Sequence, residues 1–273
     1  MKFTKMQGSG NDFVVIDDRK NEFLGRENEL GVKLCNRHFG IGGDGILIIR
    51  ESKIAQIKMV IINSDGSYAS MCGNGIRCFA KYVRENGLAE GSRIKIETGD
   101  GIKEAFLNIA EGEVTEVTVD MGTPFFKPQE IPADFKDEIV NEKIEVNGKI
   151  YEITSLLMGV PHTVIFGDLE KYQVKEGKSI EKYAAFPQGT NVNFCEVVDK
   201  NSVKVKTWER GAGPTLACGT GSCACVVAAN KLHLTDKKVR VTVPGGNIFV
   251  EIKGNNVFMT GPAAVSFKGE YSI

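Results

Sequence analysis

A chain of 273 residues is long enough for two domains of roughly 130 residues each. With 42% apolar and 25% charged residues and a net charge of -1, it has the balance of a water-soluble globular protein, and nothing in it points to a nucleic-acid or membrane-surface partner. Seven cysteines are an odd count, no apolar run approaches the ~20 residues of a membrane span, and residues 1–6 lack the apolar core of a signal peptide, so the expectation is free thiols and a cytoplasmic location.

Residues 2–6 alternate like a strand, 8–12 read as a loop, and Phe13 to Asp17 read as a second, largely buried strand. Residues 28–39 have helical spacing, with Leu30, Leu34 and Phe39 on or near one face. The glycine loop 40–45 precedes a buried strand, Ile46 to Ile49. A phosphate cradle needs the order strand, loop, helix, and here that order is reversed. Ala55 to Asn63 is another apolar strand, and it delivers the turn Asn63-Ser64-Asp65-Gly66. Cys72-Gly73-Asn74-Gly75 then opens a helix that stops at Asn86-Gly87. Strands over Arg93 to Glu97, Gly101 to Ala110 and Val114 to Met121 follow as a meander.

Pro124, Pro128 and Pro132 mark the crossing between halves, since proline suits a linker. The domains are therefore placed at 1–122 and 123–273, with the chain end able to return to the first. In the second, strands are expected over Tyr151 to Met158 and Thr163 to Phe166, and a polar helix over Leu169 to Tyr183. Strands Val192 to Val198 and Ser202 to Trp208 lead to Glu209-Arg210-Gly211. Cys218-Gly219-Thr220-Gly221 opens the next helix, and a hairpin over Val239 to Ile252 comes after it. Val257 to Thr260 and Ala264 to Phe267 are expected to finish that sheet.

The halves carry the same features at steady offsets. Cys218 follows Cys72 by 146 residues, and Asn63 and Glu209 each stand nine residues before their cysteine. Phe39 and Phe186 match at an offset of 147, which sets Asp44 opposite Asn191, and residues 11–16 match 160–165 at 149. A repeat of this length implies two similar domains, here expected to pack about a pseudo-twofold axis with a cleft between them. Each Cys-Gly-x-Gly puts a cysteine just before the first turn of a helix. Unpaired N–H groups and the positive end of the helix dipole gather there, favouring a thiolate and binding a carboxylate. Two such cysteines facing one amino acid form an acid–base pair. One thiolate takes the α-proton, the opposite thiol protonates the other face, and the configuration inverts. Backbone donors on the carboxylate stabilise the carbanion, and domain closure excludes water.

Six stretches now stand together: 5–13, 37–42, 63–66, 72–78, 209–211 and 217–221. In them, and over essentially its whole length, the chain resembles the diaminopimelate epimerase family of pyridoxal-independent racemases and epimerases. The resemblance implies an α+β (mixed α/β) fold of two pseudo-symmetric domains, each a β-barrel-like sheet around a central helix, with the active site in the cleft between them. It implies Cys72 and Cys218 as the acid–base pair. It implies Asn11, Asn63, Asn191, Glu209 and Arg210 as substrate contacts, with Gly73, Asn74, Gly219 and Thr220 supplying donors and His162 supporting the site. No cofactor and no metal are implied. The implied partner is a small amino acid, LL-diaminopimelate, on the route to lysine and peptidoglycan; a homodimer is implied as well.

Two positions depart from the family pattern, Val160 where asparagine is usual and Pro214 where glutamate is usual. One lost polar contact to a zwitterion is worth about 1–3 kcal/mol. A racemase of histidine, lysine or lanthionine, with Val160 as its specificity candidate, is therefore the alternative. A metal-binding or redox protein using Cys218, Cys223 and Cys225 is a remoter one, because Cys-x4-Cys-x-Cys is not the spacing of a zinc knuckle. Cys35, Cys195 and Cys225 read as buried small apolar residues, and Arg37, His38 and Arg77 as structural.

Overall fold

A computed structural model describes residues 1–272 and turns the first alternating stretch into strand β1 (Lys2–Gly8). Its antiparallel partner β2 (Asn11–Asp17) follows after only two residues. Ser9 and Gly10 take φ values of 56° and 83°, both left-handed, and such turns match the right-handed twist of paired strands. The loop expected over 8–12 is thus a two-residue turn, and Asn11 and Asp12 already belong to β2. Helix α1 (Glu27–Cys35) buries Leu30 and Leu34 but ends at Asn36, whose backbone leaves the helical region and whose side chain accepts the N–H groups of His38 and Phe39. That early stop leaves Phe39, expected near the buried face, 85% exposed.

Strand β3 (Gly45–Arg50) runs parallel to β2 and is buried along its whole length, as a strand covered on both faces must be. Strand β4 (Ile57–Asn63) returns antiparallel, and the short β5 (Tyr68–Ala69) pairs back on it. Helix α2 (Gly73–Glu85) then buries Ile76, Phe79 and Val83. After it, β6 (Arg93–Thr98) pairs parallel with β4, and β7 (Gly101–Ala110) and β8 (Glu113–Asp120) continue as a meander. α2 packs against β1, β2, β4, β7 and β8, so the sheet wraps one central helix.

The second unit spans Met121–Met259. Its first strand, β9 (Glu142–Val146), escapes the sequence reading because three of its five residues are exposed, two of them glutamates and one a lysine. Strands β10 (Lys149–Met158) and β11 (Val160–Phe166) form a hairpin over the second half of β10, and β9 pairs with its first half. The helix expected over 169–183 shrinks to a 3-10 turn at 174–176 and the five-residue α3 (Gly177–Glu181). Asp168 caps a separate turn through Glu170 and Lys171, and Gly177 is pressed so closely on Trp208 that a Cβ would lie 2.5 Å from that side chain. Strand β12 (Asn191–Asp199) runs parallel to β11, β13 (Ser202–Glu209) returns antiparallel, and β14 (Gly213–Thr215) pairs back on it. Helix α4 (Gly219–Lys231) is buried continuously from Gly221 to Ala229, consistent with its apolar circumference. β15 (Lys238–Val243) pairs parallel with β13, β16 (Gly246–Lys253) pairs antiparallel with β15, and β17 (Asn256–Gly261) leads out.

The order of pairings is therefore the same in both units. Register refines the repeat. Ile46 pairs with Val14 and Ile62, and Val192 pairs with Thr163 and Trp208, so Asn191 is level with Gly45 and not with Asp44. The last strand, β18 (Ala264–Glu270), pairs antiparallel with β1, so the chain from Thr260 onward completes the first unit rather than the second.

These burial patterns separate two neighbouring apolar residues. Leu34→Ala should cost about 2–5 kcal/mol, the range for an emptied core leucine, whereas Phe39→Ser should change stability by about 0.5 kcal/mol or less, as at an open surface position. Urea unfolding of both variants measures this; equal losses would put Phe39 back in the core.

Candidate active site

The geometry of the first thiol follows from the local sequence. Cys72 is the N-cap of α2, with an extended backbone (φ -145°, ψ 116°), and its Sγ accepts the N–H of Gly75 at 3.4 Å. An N-cap side chain ordinarily offers oxygen to that N–H, from serine, threonine, aspartate or asparagine. Sulfur is a poorer cap, so cysteine here serves something other than helix stability. A Cβ on Gly75 would lie 3.2–3.4 Å from Leu47, Cys72 and Phe13, which is why the third helical residue is glycine. Around the sulfur, the Asn11 Oδ1 lies 3.7 Å from Sγ and accepts the Asn74 amide at 3.4 Å. Asn11 donates in turn to Asp44 at 2.7 Å.

A charged lattice holds Asn11 from behind. Asp12 pairs with Lys5 and with Arg37, each at 2.7 Å, and Arg37 reaches Asp44 at 3.0 Å. Burial pushes the Asp12 carboxyl up, but the hydrogen bonds and charges of Arg37 and Lys5 outweigh it and bring its pKa down to about 2. Arg77, fully buried, donates to Asn74 Oδ1, Ser9 Oγ and the carbonyls of Gly73 and Pro262. It ties the first turn of α2 to the β1–β2 turn. Asn63 lies exposed at the end of β4, with its amide on Ser67 Oγ at 3.0 Å.

The second unit repeats the cap with different neighbours. Cys218 is the N-cap of α4 (φ -109°, ψ 112°), and its Sγ accepts the Gly221 N–H at 3.4 Å and lies 3.5 Å from Thr220 Oγ1. Asn191 accepts the Arg210 N–H at 2.9 Å and donates to the Pro161 carbonyl at 2.9 Å. The Arg210 guanidinium is fixed by the Gln188 carbonyl at 2.7 Å, and Glu209 accepts from Thr215 at 2.6 Å. His162 pairs with Asn191 across β11–β12 and is fully buried. Burial, and then the charge of Arg210, push its pKa down to about 3. Val160 opens β11 half-buried, and Pro214 lies exposed opposite Trp208.

The remaining cysteines differ in kind. Cys35, Cys78, Cys195, Cys223 and Cys225 are buried away from any helix start. Burial pushes the Cys35 and Cys78 thiols up to about 12 and the Cys225 thiol well above the ordinary thiol range. Such thiols stay neutral, whereas a helix N-terminus favours the anion. Among the described residues, no three His, Cys, Asp or Glu side chains converge as metal ligands, and no helix is long and apolar enough to cross a membrane.

The profile described as diaminopimelate epimerase matches this chain over residues 3–127 and 154–266, a span that holds both capped cysteines. The chain belongs to the diaminopimelate epimerase family. A diaminopimelate epimerase of Clostridium perfringens is 58% identical over 271 residues, covering 99% of both chains. One from Carboxydothermus hydrogenoformans is 48% identical over 285 residues, covering 100% of both. Two solved structures share the mixed α/β fold of two similar units. A hydroxyproline epimerase from Agrobacterium vitis, with bound trans-4-hydroxy-L-proline, superposes with a TM-score of 0.75 at 14% identity, covering 98% of this chain and 90% of that one. A Bacillus anthracis phenazine biosynthesis protein of the PhzF family gives 0.74 at 14% identity, covering 100% and 99%.

In this member of the diaminopimelate epimerase family, the residues that sequence reasoning passed over are polar partners in the strands and in the turns beside them. Lys5, Ser9, Asp12 and Asp44 brace the Cys72 side, and Asn193 and Thr207 brace the Cys218 side. A signal existed for Asn193. Asn191 and Asn193 alternate with apolar residues, so both lie on one face of β12.

The buried His162 makes stability pH-dependent in a defined direction. Its folded pKa of about 3 lies below its unfolded value of about 6.5, so below pH 6.5 the unfolded chain binds the proton that the folded one refuses. Stability from this group is full above pH 6.5 and is lost as pH falls toward 3. Between pH 7 and pH 5 the wild type should lose about 2 kcal/mol more than His162→Gln. Urea unfolding at the two pH values checks this, and identical slopes for both proteins would show that His162 is not buried neutral.

Proposed function

We propose that this isomerase epimerises diaminopimelate at one α-carbon, LL to meso, by proton transfer between Cys72 and Cys218 without a cofactor. The observation that carries the reading is the repeated cap: in both units of a diaminopimelate epimerase family member, a cysteine sulfur sits where the first N–H groups of a long helix converge. Relatives bearing the diaminopimelate name at 44–58% identity over nearly the full length favour that substrate. The reading of Val160 and Pro214 as marks of a histidine, lysine or lanthionine racemase is accordingly not favoured.

In the forward step, one cysteine as thiolate removes the α-hydrogen as a proton. The electron pair of the C–H bond remains on the α-carbon and spreads into the adjacent carboxylate. The other cysteine, as thiol, delivers its proton to the opposite face, and the two sulfurs end with exchanged protonation states. The α-proton is much less acidic than a thiol, so most of the barrier lies in stabilising the carbanion. First-turn N–H groups at Gly73, Asn74, Gly219 and Thr220 belong to the set that a helix leaves without an intrahelical acceptor, and such groups bind a carboxylate and its growing negative charge. Asn11, Asn63, Asn191, Glu209 and Arg210 take the remaining polar ends of the substrate. Arg210 is suited to the distal carboxylate because guanidinium pairs with carboxylates in two parallel hydrogen bonds. Neutral His162 supports this surface without adding charge. The family likeness also supports a cytoplasmic homodimer.

Deuterium exchange tests the reading. In D2O, the reduced wild type should place deuterium at the α-carbon of LL-diaminopimelate, seen by NMR, while histidine, lysine and lanthionine stay inert. Cys72→Ala and Cys218→Ala should each abolish net epimerisation. Either variant working near the wild-type rate would sink the two-base scheme. Exchange on another amino acid, with diaminopimelate inert, would sink the substrate.

A further inference from the structure

The face of β12 that carries Asn191 also carries a buried amide that the two-thiol chemistry leaves without a task. Asn193 is fully buried, and its amide is saturated. Its Oδ1 accepts from Thr207 Oγ1 at 3.0 Å, and its Nδ2 lies 3.3 Å from the Thr163 carbonyl and 3.2 Å from His162 Nδ1. The Thr163 carbonyl can only accept, so the amide atom facing it is the NH2 group. The same NH2 then donates to His162 Nδ1. A neutral imidazole carries one proton, so with Nδ1 accepting, that proton is on Nε2. Nε2 is itself buried and lacks a hydrogen-bond partner among the described residues.

Asn193 also meets the second thiol's helix. A Cβ on Gly221 would come within 2.3 Å of Asn193 Oδ1, so the amide bears directly on the residue whose N–H donates to Cys218 Sγ. The corresponding place in the first unit is apolar: Leu47 is level with Asn193, and Gly75 rests against Leu47 and Phe13. The two caps look alike from the sulfur and are braced in different ways.

We propose that Asn193 is a positioning residue for the epimerisation, holding His162 in its Nε2-protonated tautomer and the Gly221 turn against Cys218. The kinetic half of this proposal rests on the function proposed above; the tautomer half does not.

The test uses full-length protein labelled with 15N at its three histidines. In the wild type, the His162 signals should be those of a neutral ring protonated on Nε2. Asn193→Asp replaces the donor with an acceptor and should move the proton to Nδ1. Thr207→Val removes one hydrogen bond to the amide with little change in volume and should weaken the tautomer preference in a fold that survives. In both variants kcat for diaminopimelate should fall, by about 10–100-fold in Asn193→Asp, with KM changed less than about threefold, as expected when geometry rather than binding is disturbed. A wild-type proton on Nδ1 overturns the proposal. So do folded Thr207→Val and Asn193→Asp proteins with wild-type ring shifts and wild-type kcat. If the wild type leaves diaminopimelate unexchanged, the substrate reading has failed, and the ring signals of the three proteins still decide whether Asn193 sets the tautomer.

Discussion

One backbone N–H pointed at one sulfur, made twice, organises this chain. The Gly75–Cys72 and Gly221–Cys218 bonds are each 3.4 Å long, and each needs a helix that starts at a fixed place. Both helices are anchored by their buried lengths, Gly73 to Ala80 in one and Gly221 to Ala229 in the other. Burial of that extent contributes several kcal/mol of hydrophobic stabilisation on either side. It dwarfs whatever a sulfur cap contributes. The cap therefore does not hold the helix; the helix holds the cap. Changes deep in α2 or α4 act on the thiols through position, with no need for contact.

The polar scaffolding around the two caps follows opposite strategies. On the Cys72 side it is ionic and half open to water, with Lys5, Arg37, Asp12 and Asp44 locked together and Asn11 fixed against them. Arg37 is largely exposed, so its share is screened by salt and worth little by itself. The Lys5–Asp12 pair is nearly buried and far less screened. On the Cys218 side the scaffolding is neutral and sealed, an amide, a hydroxyl and an imidazole that satisfy one another in a dry interior. A buried network of that kind is stiff while complete and costly when one member is lost.

How much of this was legible in the sequence depends on the range of the interaction that decides each feature. The capped cysteines were legible because cap, glycine and helix lie within four residues. Helix α2 and the strands around it were legible because their apolar periods are strong. Phe39 was not, because Asn36 ends α1 with a local side-chain bond that outcompetes another turn of helix. The helix expected over 169–183 shrank because Asp168 holds Glu170 and Lys171 in a turn of their own, leaving only 174–181 to turn helically. Strand β9 was masked by its charges. The match of Asp44 with Asn191 missed by one residue, because loops of unequal length shift a count that only strand register corrects.

The pairing of β18 with β1 bears on how the chain leaves the ribosome. The second unit is contiguous and has all its strands in hand once synthesis passes its last residue, Met259. The first unit does not. β1 is made well before its outer partner, which begins only at Ala264. At ordinary elongation rates β1 waits about 10–50 s with one edge open. An open edge of that kind invites pairing with other nascent chains. The polar residues along it, Lys2, Thr4 and Lys5, are the sort that discourage such pairing. Closure of the first unit on that edge thus waits for β18, which is made after every strand of the second.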